Sequence, residues 1–168
     1  NDPIEIPKHF PKPIYSFSTN PVTFEKIELG RALFYDPILS KDSTISCSSC
    51  HSQYNAFAHV DHALSHGIRD QIGTRNAPAL MNLAWQKSFM WDGAINHLDM
   101  QSLFPITHPK EMDENLEHVM SKLQHSNIYP KLFYKACSDT LITGEHTLKA
   151  ISAFMVSLVS SHSKYDSM

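Results

Sequence analysis

No stretch of the chain approaches the ~18 consecutive apolar residues that a membrane-spanning helix needs, so no transmembrane span is expected in it. Excess positive charge is missing too: 14 Lys and Arg face 17 Asp and Glu, a net charge of −3 with histidines neutral. Nucleic-acid binders normally carry a basic patch, so no nucleic acid is expected among the partners. Cysteine is scarce, with three in 168 residues, an odd and small number that makes no disulfide framework. No alternating strand pattern, internal repeat or low-complexity tract stands out. The opening Asn1-Asp2-Pro3 lacks the basic-then-apolar profile of a secretory signal, so an exported form is expected to have lost that signal already.

A chain of this length fits one domain and can bury roughly 70% of the surface its unfolded form exposes. Residues 1–22 read as a Pro-rich arm, with five of the ten prolines before Val22. Proline fixes φ and removes an amide donor, which predicts an extended strap or tether. Residues 23–168 read as the folded domain. Thr23 is placed to cap a helix running to about Tyr35, with Phe24, Ile27 and Phe34 inward. Asp113 is placed to cap a helix to about Gln124, where Leu116, Val119, Met120 and Leu123 share one face. Pro130 opens a short helix, and Thr143 caps the last, with Leu148, Ile151, Met155 and Leu158 as its stripe. Segment 52–80 lacks periodicity, and loops that long usually bind or cover something. The expected fold class is mainly α, with long irregular loops.

Cys47-Ser48-Ser49-Cys50-His51 fits C-x-x-C-H, the attachment signature of c-type haem. Two thiols three residues apart reach one edge of the macrocycle and add across its vinyl groups. The following imidazole then lies under the iron. The signature is short, and two other readings share its residues. Cys47, Cys50, His62 and His66 read C-x2-C-x11-H-x3-H, near the spacing of a tetrahedral zinc site. A redox dithiol is the other, although that usually sits in a βαβ unit. Cys137 lies on an apolar helical face as a small hydrophobe. With one two-cysteine motif, the chain can attach one covalent haem c.

Further motifs surround the haem signature. Leu29-Gly30-Arg31-Ala32-Leu33-Phe34-Tyr35-Asp36-Pro37 and Leu39-Ser40 precede it. His66-Gly67, Arg75-Asn76-Ala77-Pro78, Trp91-Asp92-Gly93, Gln101 and Glu111-Met112 follow. In this order and spacing, from about residue 23 onward, the chain resembles the N-terminal, peroxidatic haem domain of the bacterial di-haem cytochrome c peroxidases.

The resemblance implies a cytochrome c-like haem domain that reduces hydrogen peroxide to water. His51 matches the proximal iron ligand. His66 matches the histidine that occupies the sixth iron position in the resting enzyme and leaves on activation. Gln101 and Glu111 match the distal pair that handles peroxide, Trp91 the tryptophan between the haems, and Asn76 a contributor to an interface calcium site. The implied electron donor is a small cytochrome c or cupredoxin, and the implied location is the periplasm. The family continues into a second haem domain with its own C-x-x-C-H. The sequence is therefore expected to be a piece of a longer enzyme, with that domain or a partner subunit supplying the second electron. Gly67 beside His66 is expected to give a moving loop its freedom. The rival reading is a non-catalytic electron-transfer cytochrome, with a sixth ligand from His66 or from Met81, Met90, Met100 or Met112.

Overall fold

The computed structural model describes residues 2–166 and 168. Its helices form where local capping and an inward stripe coincide. α1 (Phe24–Tyr35) is capped by Thr23, whose hydroxyl accepts from the Lys26 amide at 3.2 Å. It buries Leu29, Gly30, Leu33 and Phe34. α2 (Cys47–Cys50), α3 (Leu98–Gln101) and α4 (Leu103–Thr107) are one-turn pieces. α5 (Leu116–Gln124), α6 (Tyr129–Cys137) and α7 (Gly144–Ser157) complete the set. α7 is capped by Thr143, which accepts from the His146 amide at 3.1 Å. Among the described residues, strand pairing is limited to isolated bridges, Ser52 with Ala58, His66 with Ile72 and Phe89 with Ile95. Each pinches a loop beside the cavity described below.

α7 is the central helix: Leu148, Ile151, Met155 and Val156 are all buried. α1 packs along it so closely that a Cβ on Gly30 would run into the Ala150 carbonyl. Gly30→Ala is therefore expected to destabilise the fold by about 1–3 kcal/mol through overpacking, read as a lower Tm in thermal unfolding. α6 leans on α1 through buried Tyr129 and Phe133. The Tyr129 hydroxyl donates to Asp36 Oδ2 at 2.8 Å, while Asp36 Oδ1 accepts from the Ile38 amide at 2.9 Å. The Asp36-Pro37 turn is thus tied to a distant helix as well as to itself.

Two helix-level expectations differ from the structure. Phe24 is 55% exposed rather than inward, because it occupies the first helical position, ahead of the stripe that begins at Leu29. Asn115, not Asp113, caps α5, accepting from the His118 amide at 2.9 Å. Asp113 is engaged elsewhere, by Lys41 at 3.2 Å and Arg69 at 3.5 Å, and its φ of +50° sets a turn. Segments without periodicity also carry structure. Residues 2–22 form no helix, but they are fastened to the domain. The Ile14 and Tyr15 amides both donate to the Ala84 carbonyl at 2.9 Å, and Trp85 Nε1 donates to the Pro11 carbonyl at 2.7 Å.

Candidate functional site

α2 is a single turn opened by Ser46, whose amide donates to Ser49 Oγ at 3.1 Å. The turn brings Cys47, Cys50 and the following His51 together at the edge of a cleft. The larger cavity has a volume of about 510 Å³ and is lined by Cys50, His51, Leu80, Phe89, Gln101 and Glu111, among others. That size lies within the roughly 300–1,000 Å³ typical of cofactor sites. A recess of about 60 Å³ opens beside it and adds Cys47, Phe34, Met112 and Met155 to the lining. The cleft thus has both thiols and an imidazole at one side, apolar residues of α1 and α7 behind, and Gln101 and Glu111 facing in.

The donor set suits a covalent haem. The sulfurs are free. Burial pushes the Cys47 thiol up to about 12 and raises that of Cys50 as well, with Glu111 adding to the latter. His51 Nδ1 lies 2.9 Å from the Phe57 carbonyl, which can only accept. The ring therefore donates from Nδ1 and keeps its Nε2 lone pair for a metal. Burial holds the His51 pKa down, although the Phe57 and Pro78 carbonyls oppose it. A neutral imidazole is the ligating form. The zinc arrangement is not met. The His62 and His66 rings lie against one another at 4.7 Å, and neither lines the cleft with the thiols. Among the described residues, no group of three or more His, Cys, Asp or Glu side chains is placed to hold a metal ion.

Glu111 lines both the cavity and the recess, and its side chain is 39% exposed because it faces that open space. Burial raises its carboxyl above the usual range, while His108 pulls the other way. His108 Nδ1 stands 3.7 Å from Glu111 Oε1. His108, three residues before Glu111, also lines the larger cavity. Gln101 also lines both spaces, with its Nε2 3.6 Å from Met90 Sδ. Trp91 is 61% exposed at the cavity mouth, and its Nε1 donates to the Asn76 carbonyl at 2.6 Å. The Asn76 amide nitrogen donates in turn to the His62 carbonyl at 3.0 Å. Arg75 and Asp92 pair across the same mouth at 3.4 Å.

His66 stands apart from the other predicted site residues. Its imidazole lines neither space, and its Nδ1 pairs with Asp70 at 2.6 Å. Only its backbone reaches the thiols, the carbonyl accepting from Cys50 Sγ at 3.4 Å. Gly67 serves a purpose other than the one expected. Its backbone is extended (φ −107°), a conformation any residue adopts, but a Cβ there would meet the Lys110 carbonyl and the Glu111 backbone. The Ile68 amide donates to the Glu111 carbonyl at 2.7 Å, so this close approach fixes the Glu111 loop.

A mainly helical domain that sets a C-x-x-C-H turn against an apolar cleft is a c-type haem domain of the cytochrome c kind. Residues 24–168 match the family described as di-haem cytochrome c peroxidase, and the chain belongs to that family. It is 34% identical over 167 residues to the methylamine utilization protein MauG of Methylorubrum extorquens, covering 95% of this chain and 44% of that protein. It is 33% identical over 150 residues to cytochrome c551 peroxidase of Nitrosomonas europaea, covering 89% and 44%. A solved structure described as a MauG-like protein associated with microbial copper homeostasis superposes with a TM-score of 0.86 at 33% identity, over 96% of this chain and 48% of that one. The chain spans less than half the length of these relatives. The family implies c-type haem.

Proposed function

We propose that this chain is the peroxidatic haem domain of a periplasmic enzyme that reduces hydrogen peroxide to water, with electrons from a small cytochrome c or cupredoxin. The observation carrying this reading is that Glu111 and Gln101 line the same cavity as Cys50 and His51. An electron carrier needs the thiols and the imidazole, but not a carboxyl and an amide turned into a space of about 510 Å³. Bound haem would supply an iron that accepts peroxide and passes it two electrons. Cys47 and Cys50 would hold the group covalently, and His51 Nε2 would ligate the iron.

The remaining chemistry belongs to the side chains. Splitting the O–O bond unevenly needs a proton moved from the inner peroxide oxygen to the outer one, which then leaves as water. Glu111 takes that proton on a carboxylate oxygen and returns it, and Gln101 orients the peroxide through its amide. Two electrons and two further protons complete reduction to two waters. A second haem domain or partner subunit would deliver the second electron, with Trp91 at the mouth on the route. His66 would occupy the sixth iron position at rest, which requires its ring to leave Asp70. Asn76, whose amide nitrogen already serves the His62 carbonyl, would offer its oxygen to calcium at the domain boundary, with further ligands from outside this chain. One variant of this reading directs the oxidising power of peroxide at a partner protein.

The test is made on the haem-loaded protein. The reduced form is expected to bind carbon monoxide, and peroxide is expected to oxidise a reduced small cytochrome. Peroxide consumption that leaves the cytochrome reduced but oxidises an added partner protein would favour the partner-oxidising variant. A reduced haem that refuses carbon monoxide, with no peroxide turnover, would leave the electron-transfer cytochrome instead. His66→Gly is expected to convert the resting low-spin spectrum to high-spin; an unchanged spectrum removes His66 from the iron.

A further inference from the structure

The Pro-rich segment reaches the site from behind. The Tyr15 hydroxyl donates to Asp99 Oδ1 at 2.7 Å. Asn20, wholly buried, donates from Nδ2 to the Tyr15 oxygen at 2.7 Å and to the Lys149 carbonyl of α7 at 2.9 Å. Lys26 Nζ of α1 donates to Asn20 Oδ1 at 3.0 Å. One hydrogen-bonded chain therefore runs from α1 and α7 through the strap to Asp99. Asp99 is itself buried, and its Oδ2 has no hydrogen-bond partner. His97 Nδ1 lies 3.9 Å from Oδ2 and accepts from the Asp99 backbone amide at 3.3 Å.

Asp99 sits in α3, four residues long. A single turn cannot hold its own position, because one turn fixes many dihedrals for very few hydrogen bonds. Its placement depends on the helical Ser102 junction that leads into α4 and on what its side chains grip, Leu98 in the core and Asp99 in the strap. Helical residues advance about 100° each, so Asp99 and Gln101 project on nearly opposite sides. One meets Tyr15; the other lines the cavity. The family match begins at residue 24, so Tyr15 and Asn20 lie outside it.

We propose that Tyr15, through Asp99, is a positioning residue that holds the Gln101 amide in the distal part of the cavity. The proposal rests on the peroxidase reading only for its kinetic readout. Losing the hydroxyl leaves Asp99 Oδ1 with only the long 3.5 Å contact from Asn20 Nδ2 and Oδ2 with no partner, so the α3 turn shifts and the Gln101 amide loses its aim.

Tyr15→Phe keeps the ring contact with Phe17, whose centroid lies 5.3 Å away, and is made in the haem-loaded protein. Peroxide kcat/KM is expected to fall roughly tenfold, with the donor KM unchanged. The same substitution in a Gln101→Ala background is expected to add nothing, because both changes remove one effect. The C–O stretching frequency of the reduced carbon monoxide complex, which senses a distal hydrogen-bond donor, is expected to shift toward the Gln101→Ala value. Asp99→Asn keeps an acceptor for the Tyr15 hydroxyl and is expected to stay within about threefold of the parent. Equal losses in both backgrounds, or an unshifted C–O frequency, would overturn the proposal. Should no form reduce peroxide, the functional reading fails, while the C–O frequency still judges the positioning role.

Discussion

Glu111→Gln in the haem-loaded protein is expected to lower peroxide kcat/KM by about 10²–10⁴-fold, the usual contribution of a positioned acid–base group. Glutamine keeps the size and polarity but cannot carry a proton. Carbon monoxide binding to the reduced protein should persist, since the substitution touches neither the thiols nor His51. The pH profile sharpens the test. Glu111 must begin ionised to take the peroxide proton, so turnover rises with pH as its carboxyl deprotonates. Burial raises that carboxyl's pKa, which moves the rising limb above the ordinary carboxylate range. In the Gln variant the limb should vanish. His108 counters the burial effect from 3.7 Å, so His108→Gln should move the limb to higher pH. A variant within threefold of the parent at every pH would take Glu111 out of the chemistry.

What the sequence disclosed follows the range of the interactions concerned. Thr23 and Thr143 marked the starts of α1 and α7 because a cap bonds a backbone amide three residues on. The same rule failed at Asp113, where two cations from distant loops compete for the carboxylate. The haem-attachment turn was legible because both thiols and the imidazole come from five consecutive residues. Gln101 and Glu111 have no local signature. They entered through family resemblance, and the cavity that gathers them is built from loops with no periodic pattern. Nothing within the four residues of α3 specifies a helix. The Tyr15–Asp99 bond joins residues 84 positions apart, a pairing no spacing rule supplies. His66 belongs to a motif plain in sequence, and its ring pairs with Asp70, four residues on, a contact that the spacing alone does not announce.

The largest stability effect is expected at a buried ion pair behind the Glu111 loop. Glu114 has a side chain only 2% exposed, and Lys122 Nζ lies 2.8 Å from its Oε2. The same ammonium donates to the Ser40 carbonyl at 2.6 Å, joining α5 to the turn after α1. Lys122→Met removes the charge and leaves the Glu114 carboxylate without its cation. Removing one member of such a pair typically costs about 3–5 kcal/mol. The lower end applies here, because His118 Nδ1 at 2.8 Å and the Asn115 amide at 3.0 Å still serve the carboxylate. For a domain of this size that corresponds to a Tm lower by roughly 6–12 °C. Burial alone would raise the Glu114 pKa, but Lys122, the Asn115 amide and His118 together bring it below the ordinary value. A carboxyl whose pKa is depressed by folding adds stability above its unfolded pKa and loses it as pH falls through the folded one. The penalty of Lys122→Met should therefore be full at neutral pH and shrink in acid, where Glu114 takes a proton and no longer needs the cation. Pairing the change with Glu114→Gln should restore much of the neutral-pH stability, since an amide is cheaper to bury than a lone charge. A single variant that melts within a degree of the parent at neutral pH would mean that the pair holds the Glu111 loop without stabilising the fold.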